Sequence, residues 1–251
     1  MSVDKKFQVV VLAGGKGTRM GGLDVPKVLF ELAGEPLLSY ILKNVRMLEL
    51  AEKTIVVVGY KHELVEQKFG TDYIYVLQEQ QLGTAHAVMA AQRLVTAPNV
   101  LVVYGDMPFM HAESLEKLVS SHLELGAKLS MITVRPLNFD GAYSSLLHYG
   151  RVIRNSENGE IEASIEYRDC TPEQKLITEL NPCFYSFQSS WLWQRIKNLS
   201  NKNAQGEYYL TDLVHVAIEE GEKINTVPIA AEEVIGVNSS QDLEYAQKLI
   251  N

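Results

Sequence analysis

The sequence has little of several features that would assign it to a specialised class of protein. It contains only two cysteines, Cys170 and Cys183, and no His or Cys cluster has the spacing of a zinc site, so neither a disulfide framework nor a zinc protein is indicated. No apolar run approaches the roughly 18 residues of a membrane span, and the apolar N-terminal stretch is too short for a signal peptide. We therefore expect a cytoplasmic protein with reduced thiols and no membrane partner.

Basic residues are also scarce, because 23 Lys and Arg face 31 Asp and Glu and the formal charge is −8. This balance argues against nucleic acid as a partner, although a few local cations can still hold an anionic small ligand. The 251 residues are 46% apolar, enough for a sizeable core. No linker, repeat or low-complexity stretch divides them, so we expect a single domain over residues 1–251.

Strand and helix patterns alternate in the first half of the chain. Apolar, β-branched runs predict buried strands at 7–13, 54–58, 73–77, 100–104 and 129–134. Helical periodicity predicts helices at 37 to about 52, 84–95 and 112–125. This alternation is typical of an α/β fold with a Rossmann-like, mostly parallel sheet and helices on both faces.

The pattern becomes irregular after Arg135. Short strands are predicted at 151–154, 161–166, 184–187 and 225–229, and helices at 191–199, at 210–220 and from about 241. We expect the strands at 151–154, 161–166 and 184–187 to form a mixed or antiparallel extension of the same sheet.

The strongest motif is the glycine-rich stretch LAGGKGTRMGG at residues 12–22, directly after the first strand. Gly14, Gly15 and Gly17 allow a tight turn whose N–H groups can face phosphate oxygens, and Lys16 and Arg19 add positive charge. The dinucleotide fingerprint would need a glycine at position 20, and the P-loop would need Ser or Thr after Lys16, so neither fits.

Together with the following Pro-Lys pair at 26–27, this loop resembles that of the sugar-1-phosphate nucleotidyltransferases. Further matches lie in the family's order over nearly the whole chain: VLQEQQLGTAHAV (76–88), YGDMP (104–108), YGRVIRN (149–155), IEYRDCTPEQ (165–174), ITELN (177–181), NAQGEYYLTDLV (203–214) and GVNSS (236–240). Together they are similar to the uridyltransferase domain of bacterial N-acetylglucosamine-1-phosphate uridyltransferases, a nucleotide-diphospho-sugar transferase type of fold. The chain contains no hexapeptide repeats of an acetyltransferase domain, so it is either a stand-alone uridyltransferase or a stretch that ends at a domain boundary.

The resemblance divides the chain into a nucleotide-binding half, about 1–135, and a sugar-phosphate-binding half with closing helices, about 136–251. It implies nucleotide contacts from Leu12, Ala13, Gly14, Gly15, Lys27, Gln78, Gly83 and Thr84. Gln78 follows a strand, and its amide offers both a donor and an acceptor, which suits the edge of a pyrimidine. Thr84 could instead act only as a helix cap.

The same comparison implies a magnesium site and an acceptor site. Asp106 follows a buried strand, and the resemblance pairs it with Asn238 as ligands of Mg²⁺, a cation that keeps several waters. Arg19 and Lys27 are implied as the catalytic cations on the departing pyrophosphate. Contacts to the sugar phosphate are implied for Tyr104, Gly105, Gly150, Glu166 and Asn181.

The sequence departs from the usual family pattern at three places, two in the acceptor-binding half and one just after the glycine-rich loop. The family usually has Asn-Thr-Gly where this chain has Asn181-Pro182-Cys183, extra residues precede Gly150 at about 142–148, and the stretch GGLDV before Pro26 is one residue longer than usual. The implied function is Mg²⁺-dependent transfer of uridylyl from UTP to N-acetylglucosamine-1-phosphate for cell-envelope (peptidoglycan) precursor synthesis, with no required protein partner. Two alternatives stay open: glucose- or N-acetylgalactosamine-1-phosphate as acceptor, and a non-catalytic sensor of UDP-sugars.

Overall fold

The computed structural model describes residues 6–17 and 25–250 of the chain. Its first elements are β1 (Phe7–Leu12), β2 (Glu31–Leu32), β3 (Glu35–Pro36), α1 (Leu37–Met47), β4 (Ile55–Val58), α2 (His62–Phe69), β5 (Ile74–Leu77), α3 (Thr84–Ala90), β6 (Asn99–Tyr104), α4 (Ala112–Leu125) and β7 (Leu129–Val134). The remaining ones are β8 (Gly150–Arg154), β9 (Ile161–Ile165), β10 (Leu180–Asn181), β11 (Tyr185–Gln188), α5 (Ser189–Arg195), α6 (Asp212–Glu219), β12 (Asn225–Ile229) and α7 (Ser240–Ile250). None of the helices over these described ranges is long and apolar enough to cross a membrane.

One mixed sheet dominates the described part of the chain, with strand order β5-β4-β1-β6-β11-β7-β10-β8-β9 and β12 paired with β7. Strands β5, β4, β1 and β6 are parallel to one another, and β11 runs antiparallel between β6 and β7. The carboxyl ends of β1, β4, β5 and β6 therefore meet at one edge, where open α/β sheets bind ligands.

Helices cover both faces of this sheet. Alternate residues of β1 point to opposite sides: Val9 and Val11 pack in the cluster that includes α1 and α4, whereas Val10 and Leu12 pack with α3, α5 and α6. The sequence FQVVVL suits a strand that is buried on both faces, because it is apolar except for Gln8. The buried Gln8 side chain donates to Lys53 O and accepts from Thr96 N. The predicted fold class, a mostly parallel mixed sheet with helices on both faces, is confirmed.

Several predicted boundaries were wrong. α1 ends at Met47 and not near residue 52, because Glu49 adopts a left-handed conformation (φ 50°). α3 ends at Ala90 rather than Val95, since the chain continues in tight turns. Helix α2 was missed because only Val65 of its eight residues is buried and the apolar periodicity is weak.

The second half differs in detail as well. The extra residues before Gly150 form a 3-10 segment, Gly141–His148, and the short strand β10 was not predicted. Strands β8, β9, β10 and β11 make antiparallel pairs, as expected for the extension of the sheet. Tyr149 and Gly150 follow this 3-10 segment directly, so the extra residues position the start of β8.

A buried histidine makes the stability of this fold depend on pH. His122 of α4 is 1% exposed, its Nδ1 lies 2.8 Å from Ser130 Oγ, and its ring meets the edge of Phe7. Burial lowers the pKa of His122 from 6.5 to about 4. As the pH falls, the unfolded state takes up this proton at a higher pH than the folded state does. The contribution of neutral His122 to the free energy of unfolding is therefore fully present above pH 6.5 and is lost as the pH falls toward 4.

We expect the free energy of unfolding to fall by up to roughly 3 kcal/mol from this group over that window, at about 1.4 kcal/mol per pKa unit. Urea unfolding at pH 7 and pH 4.5 should show a smaller pH-dependent loss for His122→Gln than for the wild type. His111→Gln, at a histidine whose side chain is 65% exposed, is the matched control. An unchanged pH dependence in His122→Gln would contradict the assignment.

Candidate active site

A cavity of about 260 Å³ lies at the carboxyl edge of the parallel strands, and we call it the loop cavity. It brings together residues from five separate stretches of sequence, including every predicted nucleotide-binding residue: Leu12, Ala13, Gly14, Gly15, Lys27, Val28, Gln78, Gln81, Gly83, Thr84, Ala87, Tyr104, Asp106 and Glu207. Gln81 and Glu207 were not singled out from the sequence, although both lie inside motifs that the resemblance quoted.

Two glycines shape the wall of the loop cavity. A Cβ on Gly14 would lie 3.0 Å from Gln78 Oε1, so the glycine loop and the carboxamide of Gln78 face each other directly. Gly83 has φ 108°, and a Cβ there would lie 2.5 Å from the carbonyl oxygen of Tyr208. A side chain is therefore excluded at Gly83 by the backbone of Tyr208, whereas one at Gly14 would have to displace the Gln78 carboxamide.

Two of the quoted motifs contain the stretches QLGTAHA (81–87) and QGEYYLTD (205–212), and these two stretches are hydrogen-bonded to each other. Tyr208 N donates to Leu82 O over 2.8 Å, Ala85 N donates to Tyr208 O over 2.9 Å, and Leu210 N donates to Thr84 Oγ1 over 2.9 Å. The Thr84 hydroxyl therefore does not cap its own helix but holds the second motif in place. Gln78 Nε2 donates to Gly83 O over 3.2 Å, which fixes the carboxamide at the rim.

Lys27, Asp106 and Asn238 form a cluster at the edge of the loop cavity. The Lys27 ammonium donates to Asn238 Oδ1 over 2.8 Å and forms a short ion pair with Asp106 Oδ2. The side chains of the ion pair are only 12% and 14% exposed. Val237 N donates to Asp106 O over 2.9 Å, so the backbone also joins the two segments that the sequence separates by 132 residues.

The donor set of this cluster fits Mg²⁺. One carboxylate oxygen and one amide oxygen converge on a single positive group, the Lys27 ammonium, as they would on a cation. Two protein oxygens suit a metal that takes its other ligands from water and phosphate. Within 6–17 and 25–250 there is no cluster of three or more His, Cys, Asp or Glu that could hold a metal.

A second cavity of about 170 Å³, which we call the side cavity, shares Thr84, Tyr104 and Glu207 with the loop cavity. Its other lining residues are Met107, His148, Tyr149, Gly150, Glu166, Asn181, Pro182, Cys183, Gln205 and Tyr209. The predicted acceptor residues Tyr104, Gly150, Glu166 and Asn181 thus lie around one space. Gly105 lines neither cavity, because it faces Leu38 and Val28 and donates its N–H to Leu12 O.

The polar groups of the side cavity differ in what they can offer a ligand. The pKa of Glu166 is raised, because the effect of burial is larger than the opposing effect of the hydrogen bond that Thr211 Oγ1 donates to it. Asn181 Nδ2 donates to Ser164 Oγ over 2.9 Å and to Tyr185 Oη over 2.6 Å, and its Oδ1 accepts from Cys183 N over 2.8 Å. Both amide donors of Asn181 are therefore used within the protein, and only Oδ1 has capacity left.

Arg19, predicted as a catalytic cation, lies outside the described residues. His86, which stands inside the QLGTAHA motif, lies with Nδ1 3.3 Å from Gln78 Nε2 and supports that side chain. Among the described residues, the positively charged side chain in the lining of the loop cavity is Lys27.

The fold and the site define a nucleotidyltransferase, and comparison with known proteins agrees. The chain belongs to the family of the MobA-like NTP transferase domain, whose model matches residues 9–206. This membership confirms the nucleotidyltransferase resemblance seen in the motifs.

Among curated relatives, the bifunctional protein GlmU of Bacillus licheniformis is 36% identical over 98% of this chain and 52% of its own length. The GlmU of Geobacillus thermodenitrificans is 37% identical with the same coverage. The chain thus spans about half the length of these relatives.

Two solved structures share the fold at low identity. UDP-glucose pyrophosphorylase complexed with UDP-glucose has a TM-score of 0.75 at 16% identity and 98% coverage of both chains. The inositol-1-phosphate CTP transferase from T. maritima has a TM-score of 0.71 at 17% identity, covering 98% of this chain and 96% of its own.

Proposed function

We propose that this chain transfers the uridylyl group of UTP to N-acetylglucosamine-1-phosphate and releases pyrophosphate. The observation that carries the proposal is the pair of joined cavities. One is walled by a glycine loop and by Gln78, with Lys27 and Asp106 also in its lining. The other is walled by Glu166 and neighbouring polar residues, and the two cavities share Thr84, Tyr104 and Glu207. UTP and a sugar phosphate can then lie in contact.

The choice of UTP and of the acceptor rests on the resemblance and on two relatives named GlmU. The Gln78 Oε1 can accept from the edge of uracil, and its Nε2 can donate to the base after leaving Gly83 O or His86 Nδ1. The backbone at Gly83 can approach the base closely. On the acceptor side, Glu166 supplies an acceptor for a sugar hydroxyl.

In the proposed reaction an oxygen of the sugar phosphate attacks the α-phosphorus of UTP. The bond from that phosphorus to the bridging oxygen of the β-phosphate breaks, and pyrophosphate leaves with the electron pair. A phosphate monoester with a second pKa of about 6 is already mostly dianionic at pH 7, so no general base is required. Catalysis then consists of positioning and of stabilising negative charge, for which Lys27 lies at the edge of the cavity.

Mg²⁺ would be held by Asp106 and Asn238, and when bound it would neutralise charge on the phosphates. For that, the Lys27 ammonium must leave the two oxygens and is then free to face a phosphate. Arg19 is expected to add a second cation.

The test is Mg²⁺-dependent release of pyrophosphate, measured with UTP, CTP, GTP, ATP and dTTP against three acceptors. The acceptors are the 1-phosphates of N-acetylglucosamine, glucose and N-acetylgalactosamine. We expect UTP with N-acetylglucosamine-1-phosphate to give the highest kcat/KM. A higher value for another acceptor would reassign the substrate. Tight binding of a UDP-sugar without pyrophosphate release in any combination would favour a sensor and reject the enzyme.

Gln78→Ala should raise the KM for UTP about 5- to 20-fold, because it removes one or two hydrogen bonds of roughly 1 kcal/mol each. The KM for the acceptor should change less than threefold, and the preference for UTP over CTP should fall. Steady-state kinetics with each substrate varied in turn gives both values. Gln92→Ala, on the exposed turn after α3, is the control. An unchanged KM for UTP would remove Gln78 from the base site.

A further inference from the structure

Cys183 adopts a backbone conformation that normally belongs to glycine. Its φ is 65°, in the left-handed region that side chains rarely occupy. In the described part of the chain, three other non-glycine residues share a positive φ, namely Ala33, Glu49 and Lys61, and these belong to turns at the ends of short strands and helices. Cys183 alone of the four lines a cavity with the predicted substrate residues.

The local turn does not explain why a side chain is present there. Asn181 Oδ1 accepts the N–H of Cys183 over 2.8 Å, and Pro182 restricts the preceding backbone. Both constraints act on the main chain, so they would hold a glycine equally well and without strain. A strained residue that persists beside a binding cavity points to a role for its side chain.

Cys183 lines the side cavity, and its thiol lies beside Glu166, another lining residue. Its Sγ lies 3.6 Å from Thr211 Oγ1 and 4.0 Å from Glu166 Oε1, next to the hydrogen bond between these two residues. Burial raises the pKa of Cys183 to about 12, so the group is a neutral thiol at physiological pH. It therefore adds bulk and little polarity beside the carboxylate.

Two tyrosines independently indicate that this cavity takes a polar ligand. Tyr209 is only 6% exposed, and Tyr209 and Tyr104 both line the side cavity with hydroxyls that make no hydrogen bond of normal geometry within the described residues. Buried hydroxyls without partners are costly, and the hydroxyls of a sugar would satisfy them.

We propose that Cys183 is a specificity-determining residue, whose side chain limits the size of the substituent that a sugar-1-phosphate can place beside Glu166 and Thr211. The proposal rests on the proposed function, because it assigns the side cavity to the acceptor. Removal of the side chain should relax the limit and favour the larger acceptor.

The experiment compares kcat/KM for N-acetylglucosamine-1-phosphate with kcat/KM for glucose-1-phosphate in the wild type and in Cys183→Gly. We expect this ratio to rise about tenfold in the glycine variant, within the range that one group of methylene size is worth in a binding pocket. Cys183→Ser keeps the size of the side chain and should leave the ratio within about threefold of the wild type. Cys170→Ser replaces the other cysteine, which does not line the side cavity, and is the control.

A ratio in Cys183→Gly within twofold of the wild type would overturn the proposal, as would an equal rise in Cys183→Ser. If thermal unfolding shows that Cys183→Gly does not fold, Cys183→Ala is judged by the same ratio. The affinities of UDP-N-acetylglucosamine and UDP-glucose, measured by calorimetry, give a second ratio that needs no turnover. If the wild type releases no pyrophosphate with any acceptor, the proposed function fails, and this binding ratio still decides the role of Cys183.

Discussion

Lys27→Met should lower kcat/KM for pyrophosphate release by about 10²- to 10³-fold, the loss of roughly 2.7–4 kcal/mol that follows removal of one preorganised charge contact. Methionine keeps most of the aliphatic stem, so packing against the glycine loop survives while the ammonium is lost. The loss should appear mainly in kcat, because charge on the departing pyrophosphate is greatest in the transition state.

A second measurement separates this role from a structural one. The Lys27 ammonium contacts both oxygens of the candidate metal site, Asp106 Oδ2 and Asn238 Oδ1. An ammonium that contacts these two oxygens competes with a divalent ion for them and also repels the ion. We therefore expect Lys27→Met to bind Mn²⁺ roughly fivefold tighter or more than the wild type does. Titration of Mn²⁺ followed by electron paramagnetic resonance would show this, and Asp106→Asn should lose the binding.

Lys43→Met, at an exposed position of α1, is the control for charge removal. Near-normal turnover in Lys27→Met would remove Lys27 from the catalytic machinery. Weaker Mn²⁺ binding in the same variant would show that the lysine does not compete with a metal.

The first half of the fold could be predicted because its signals are local. The runs FQVVVL and NVLVVY are apolar except for Gln8 and Asn99, and such β-branched runs are typical of strands that are covered on both faces. Helix α4 was predicted with its bounds, since Leu115, Leu118 and Val119 give clear periodicity and Gly126 ends it in a left-handed conformation. α2 buries one residue and gives no such signal.

The site was predicted in its parts but not in its contacts. The order of motifs predicted residues that line the loop cavity, yet nothing local says that Thr84 accepts from Leu210 or that Lys27 bridges Asp106 and Asn238. These contacts join residues 79 to 211 positions apart. The hydrogen bonds from Asn181 Nδ2 to Ser164 and Tyr185 likewise depend on how the chain packs, and the motif does not predict them.

A buried arginine beneath the side cavity was quoted only as part of a motif. Arg151 is fully buried, and its guanidinium donates to three carbonyl oxygens: Tyr149 O at 2.6 Å, Leu147 O at 3.0 Å and Lys175 O at 3.3 Å. It also lies 4.8 Å from the ring centre of Tyr167, and it makes no ion pair with a carboxylate in the described residues. Burial lowers its pKa, but the side chain stays charged because an arginine pKa is so high.

Arg151 therefore joins three segments: the end of the 3-10 segment, the start of β8 and the 3-10 turn at Lys175, of which the first two border the side cavity. Removal of the guanidinium leaves three buried carbonyl oxygens without donors, and each unsatisfied oxygen costs about 1–3 kcal/mol. A methionine side chain fills only part of the volume that the arginine occupied. We expect Arg151→Met to lose about 3–4 kcal/mol of unfolding free energy, or roughly 6–16 °C in Tm for a chain of this size.

Thermal and urea unfolding would measure that loss, with Arg93→Met at an exposed position as the control. Arg151→Lys should recover part of the stability, because an ammonium keeps the charge but cannot reach all three carbonyls at once. Since Tyr149 and Gly150 flank the side cavity, the KM for the acceptor should rise more than the KM for UTP in Arg151→Lys. A Tm within 2 °C of the wild type in Arg151→Met would mean that the carbonyls find other donors, and that the guanidinium does not hold these segments together.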